Sequence, residues 1–156
     1  MINMTIQVLG AFAAAITLSI MFDIPKKHII VDGIVGAAGW LCYLLVTKVS
    51  TVYFAVFFAS LLVALSATVL SKVLRTPTTV LMIPGLLPMV PGVSIYRVVY
   101  YTLENEPELI RHYLLEALQI AAMIAFAILI VETVFRAIAN ASALYLRKQY
   151  TPTPKK

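Results

Sequence analysis

The sequence is poor in charge: 12% of its 156 residues are Asp, Glu, Lys or Arg, against 62% hydrophobic and a mean hydropathy of +0.95. A soluble domain of that length has too little interior to hide so much apolar surface, so the solvent for most side chains is lipid. Cysteine is nearly absent. Cys42 stands alone within an apolar run, which excludes an intrachain disulfide and a thiolate metal site. Histidine is scarce as well, and His28 and His112 lie far apart, so neither a metal-ligand cluster nor a cofactor is expected. The chain lacks a glycine-rich loop closed by lysine, which argues against an ATP-driven pump. It also lacks a Ser–His, paired-aspartate or HExxH arrangement within the apolar runs, which argues against an intramembrane enzyme. The net charge is +5, yet the basic residues sit in short clusters between apolar runs and form no aromatic-plus-basic patch. Nucleic acid is therefore not an expected partner, and the lipid bilayer is.

About 20 apolar residues cross the hydrocarbon layer as a helix. Runs of that kind predict an all-α integral membrane protein with about five transmembrane helices, at residues 4–22, 29–46, 49–71, 78–103 and 114–135. They make one transmembrane domain over residues 1–150, followed by a disordered cytoplasmic tail at 151–156. The first run is read as a retained span, because it lacks a basic leader and stays uncharged to Phe22. The segment "RAIANASALYLRKQY" either lies on the membrane surface or extends the fifth helix. No internal repeat is evident. Placing the N-terminus outside puts Lys26, Lys27, Lys72, Arg75, Arg136, Arg147, Lys148, Lys155 and Lys156 in the cytoplasm, and only Lys48 and Arg111 outside. That asymmetry predicts a multi-pass protein of the cell membrane, N-terminus out and C-terminus in.

The fourth run is too long for its task. As a straight helix it would reach roughly 40 Å across about 30 Å of hydrocarbon. Within it, "PGLLPMVPG" packs three prolines and two glycines into nine positions, from Pro84 to Gly92. Proline removes a donor and disturbs the preceding turn, and glycine permits unusual dihedrals, so the expectation is two half-helices joined by unwound chain. Freed backbone amides at that depth survive only in protein or beside a polar cavity. A second half-helix starting near "GVSIYR" would aim its first-turn amides at an anionic group, with the Ser94 hydroxyl beside them and Arg97 a turn further on. The alternative is a kinked packing helix, in which Ser94 bonds back to its own helix and Arg97 snorkels to the outer surface. Both placements of Arg97 stay open.

In the second run, "DGIVGAAGW" offers Gly33, Gly36 and Gly39 as a face for close helix packing, or for direct solute contact. Asp32 is an ionisable group at the edge of the hydrocarbon, suited to proton coupling or to an interfacial role near Lys26 and Lys27. Glu132 and Arg136 are spaced for a helical ion pair. Tyr100 and Tyr101 suit an aromatic belt at the outer interface.

The ordered set "FDIP" with trailing lysines, "GIVGAAGW" and "PMVPGVSIY" resembles the threonine/serine exporter family, specifically its small five-span subunit, equivalent to the second half of the fused exporters. The likeness covers approximately residues 22–147, and its most specific part is P-x-x-P-G-x-S-x-Y. It implies export of threonine and serine, or of dicarboxylates such as succinate, together with a larger membrane subunit of the same family. By position it marks Pro88, Pro91, Gly92, Ser94 and Tyr96 as substrate-binding; Arg97 follows the motif and enters on the physical argument alone. Two functions remain in view. One is a secondary-transporter subunit holding a small carboxylate-bearing solute at the broken fourth helix. The other is a non-transporting scaffold that stabilises a partner membrane protein. Small-residue helix faces also admit a homo-oligomer.

Overall fold

The computed structural model describes residues 3–149, with side chains through Ala141, so the expected tail at 151–156 lies outside the described residues. The chain is all helix there: α1 (Met4–Met21), α2 (Lys26–Thr47), α3 (Val52–Leu74), α4 (Thr78–Leu86), a 3-10 turn (Leu87–Met89), α5 (Gly92–Leu103) and α6 (Pro107–Gln149). α1, α2, α3 and α6 are each long and apolar enough to cross a membrane, and α4 with α5 passes the same test as a bent pair, which gives four to five candidate spans. This is the predicted class, a multi-pass helical membrane protein with its fourth span broken.

The connections are short, and those after α1, α3 and α5 share one device. After α1 the amide of Ile24 donates to the Ser19 carbonyl, and after α5 that of Glu106 donates to the Tyr101 carbonyl. Each bond wraps a residue in the left-handed region, Asp23 at φ 53° and Asn105 at φ 56°. Asp and Asn tolerate that conformation better than most side chains. Arg75 takes it after α3, at φ 52°. None of the glycines does.

Glycine serves packing instead. Helices in lipid gain little from hiding apolar surface, so association rests on close contact between small residues. A methyl added at Gly33 would lie 2.7 Å from the Phe12 ring, and one at Gly36 would lie 2.8 Å from the Ala15 Cβ. These two positions seat α1 on α2. Gly36 also faces Gly85, so the backbones of α2 and α4 nearly touch. Gly39 is closed in by Val63 and Met89. The core that results is built from Val35, Ala59, Val63, Ala64, Ala67, Leu81, Met82, Leu86 and Met89, with Val131 added from α6.

α6 differs from its expected bounds of 114–135. It begins seven residues earlier, with Pro107 as its first residue and Glu108 in its first turn, both favourable at a helix N-terminus. It continues as one helix through the segment that sequence left open. At 43 residues it is about 65 Å long, twice the hydrocarbon thickness. Its later part packs on α3, where the Lys72 ammonium lies 4.4 Å over the Phe135 ring. Its early part packs on α5, which leans chiefly on α6 and stands clear of the bundle.

Candidate functional site

The break in the fourth span is narrower than nine residues. Pro84 lies inside α4, wholly buried, and the chain stays wound through the 3-10 turn. Proline at that place removes one amide donor from a short helix whose last turn then tightens to 3-10. Only Val90 and Pro91 are non-helical. Pro91, at φ −75° and ψ 53°, is the centre of an inverse γ-turn closed by a 2.7 Å bond from the Gly92 amide to the Val90 carbonyl. The two half-helices meet at 51°. The first helical bond of α5 runs from the Ile95 amide to the Pro91 carbonyl, which leaves the amides of Val93 and Ser94 ahead of it at the positive end of the helix.

Met89 fixes the inner side of the break. It is buried, and its sulfur accepts the Ser60 hydroxyl of α3 at 3.8 Å. On the α1 side, Pro88 borders a groove of about 270 Å³ with Gln7, Gly10, Ala11, Ala14 and Trp40. The Trp40 Nε1 atom is buried without a partner.

α5 carries the motif residues to two different faces. Ser94 is buried and turned to α6, where its hydroxyl donates to Glu116 Oε2 at 3.2 Å. One turn along, the Arg97 guanidinium lies 4.9 Å over the Tyr113 ring. A further turn on, Tyr101 stacks on the same Tyr113, nearly parallel at 5.4 Å. Ser94, Arg97, Tyr101, Tyr113 and Glu116 therefore form one continuous seam between α5 and α6. Tyr96 points elsewhere: it is exposed and stacks on Tyr100. Gly92 is exposed too, with nothing within 4 Å of where a side chain would start. Pro88 and Pro91 shape the break and stay out of the seam.

Sequence reasoning missed Glu116 and Tyr113. Their signal was available, since Glu116 is an ionisable residue at the head of an apolar run, and such residues are costly in lipid unless paired or used. Gly33, Gly36 and Gly39 lie in the bundle as described above, and Asp32 is wholly buried beside α1. The Glu132–Arg136 pair forms at 3.2 Å on the outward face of α6, away from both places.

A positive helix end, a guanidinium, a hydroxyl and a carboxylate thus meet beside a break in a membrane span. That combination defines a multi-pass membrane protein with a polar seam where its fourth span is interrupted. The chain belongs to the threonine/serine exporter family ThrE, whose family model matches residues 7–134. It is accordingly a membrane-embedded transporter of the threonine/serine exporter type, acting on small solutes. No curated protein and no solved structure matches the chain.

Proposed function

We propose that the chain is a subunit of a secondary transporter that exports small carboxylate-bearing metabolites, with the solute held where α4 gives way to α5. The observation that carries this reading is the placement of Glu116 beside Ser94 at the head of α5, with Arg97 a turn away. A solute carboxylate suits the first-turn amides and the guanidinium. Its amino group suits Glu116, which accepts charge-assisted hydrogen bonds and is already drawn to that place by the Ser94 hydroxyl. Both charges of an amino acid find a complement, whereas a dicarboxylate would set its second carboxylate against Glu116. The seam therefore favours threonine and serine over succinate. In the free protein Ser94 is held by Glu116, and entry of the solute exchanges that bond for bonds to itself.

Alternating access at a broken span is the general manner of such transporters. The small-residue faces of α1 and α2 suit rigid bodies that slide. Membership of the family also supports a larger membrane subunit as partner, and the lysine and arginine distribution supports the cell membrane with the N-terminus outside.

The test is export from cells carrying the gene, its deletion or the Glu116→Gln variant, with intracellular threonine, serine and succinate measured. Deletion raises retained threonine and serine, and Glu116→Gln raises them nearly as far while the protein assembles normally. Unchanged retention of all three solutes on deletion removes the transport reading. Full export by Glu116→Gln and by Arg97→Ala leaves a scaffold role in its place.

A further inference from the structure

Far from the seam, the packing of α1 on α2 encloses polar atoms that the fold leaves unbalanced. Asp32 is 0% exposed, Ser19 is 0% exposed and His28 is 3% exposed. The Ser19 Oγ atom lies 2.7 Å from Asp32 Oδ2 and 2.9 Å from the Ala15 carbonyl oxygen. A hydroxyl has one proton, and an ionised carboxylate and a carbonyl are both acceptors. Ser19 cannot donate to both. Both short contacts are hydrogen bonds at once only when Asp32 carries a proton on Oδ2 and donates it to Ser19, which then donates to Ala15. When Asp32 is ionised, Ser19 turns its proton to the carboxylate and the Ala15 carbonyl keeps only its helical partner.

Two further atoms point the same way. Asp32 Oδ1 is buried without a partner, and so is His28 Nδ1 one helical turn earlier. Buried polar groups normally find partners, and an unpaired carboxylate oxygen in lipid-embedded protein is costly. The groups that face Asp32 are few. α1 contributes Ser19 and no charged residue, and α4 contributes no titratable group. α3 carries Lys72, which lies over Phe135, and Tyr53 in its first turn. On α2 itself His28 is the buried neighbour, Lys26 and Lys27 are exposed in the first turn, and Cys42 and Tyr43 lie more than two turns further along; Asp23 is exposed in the turn before the helix. No group of three or more His, Cys, Asp or Glu side chains among the described residues could hold a metal ion.

We infer that Asp32, with Ser19 and His28, is a proton-binding site built into the α1–α2 packing. The carboxylate takes one proton from the aqueous phase, forming one O–H bond, and the Ser19 hydroxyl swings from Asp32 to Ala15; release reverses both changes. The site sits one turn from Gly36, whose backbone meets Gly85 in the broken span. A proton bound at Asp32 thus alters the bond between α1 and α2 next to the contact that steadies α4. Its use in transport rests on the proposed export function, but its existence does not.

The chain has two aspartates, Asp23 and Asp32, which makes the test direct. Asp23 is exposed and left-handed, so Asp23→Asn is tolerated there and leaves Asp32 as the sole aspartate. In that background, with ¹³C-labelled aspartate and the full chain in lipid nanodiscs, the carboxyl resonance is followed between about pH 4 and pH 9. The expected result is one titration within that range, with a midpoint that moves by about one pH unit in His28→Gln or Ser19→Ala. A resonance that stays constant over the range overturns the inference, as does a midpoint that neither variant moves. The resonance of the parent protein decides the first point even where a variant fails to fold. A titrating Asp32 in a chain whose deletion leaves solute retention unchanged keeps the proton site and removes the transport reading. A silent Asp32 in a chain whose deletion traps threonine does the reverse.

Discussion

Gly39 and Gly92 both belong to apolar helices, yet a methyl added at Gly39 runs into Val63 and Met89, while one at Gly92 meets nothing within 4 Å. The pair stands for two regions held by different means. In the bundle of α1 to α4, small residues bring backbones together and the polar atoms are sealed inside, as at Ser19 and Asp32. Between α5 and α6, rings and charges make the contact: Arg97 and Tyr101 share Tyr113, and Ser94 reaches Glu116. The bundle moves only as whole helices, because close packing leaves little room for side chains to rearrange. The seam allows change because hydrogen bonds and stacked rings can be exchanged for others of similar strength. On the proposed reading the bundle transmits movement and the seam takes and releases the solute.

Substitutions can break or sharpen that contrast. Gly39→Leu should cost most, about 3 kcal/mol from overpacking against Val63 and Met89. Unfolding in detergent, followed by Trp40 fluorescence, should show an early transition or no folded protein; a Gly39→Leu chain as stable as the parent would mean that α2 and α3 are less tightly joined than described. Tyr113→Leu removes a stacking partner of Tyr101 and the ring under Arg97 while keeping apolar bulk. About 1 kcal/mol is expected from such contacts, with the loss confined to the seam, so hydrogen exchange should quicken in α5 and stay slow in α2 and α3. Equal quickening everywhere would erase the distinction between the regions. Gly92→Ala should change stability by less than about 0.5 kcal/mol, the ordinary range for a surface position free of close neighbours. A loss as large as that of Gly39→Leu would show that α5 packs where no neighbour is seen.

Much of the fold was legible because lipid sets a length. Runs of apolar residues near 20 long announce spans, and three prolines with two glycines announced a broken one. The width of the break was not legible. Pro84 looks like a disruptor in sequence, but a short helix that tightens at its end tolerates it, and only Val90 and Pro91 leave the winding. The glycines misled in one respect. Gly85 and Gly92 suggested unusual dihedrals, but Gly85 is a packing contact and the left-handed turns fall to Asp23, Arg75 and Asn105. Ser94 was identified from the motif and Arg97 from its place one turn beyond it, whereas their neighbours Glu116 and Tyr113 come from another helix and share no local pattern with them. Ser19 and Asp32 are likewise 13 residues apart and joined only by the way α1 lies on α2.

The order of the residues settled the medium and the places of the apolar helices, since hydrophobicity summed over a helix length outweighs any local preference and needs no partner to express itself. It also settled where the chain must yield, because proline's missing donor is a covalent fact. Which polar groups face one another was settled by helix packing alone. Register and rotation between helices depend on where small residues permit contact, and those contacts set Glu116 against Ser94 and leave Asp32 Oδ1 and His28 Nδ1 enclosed without partners.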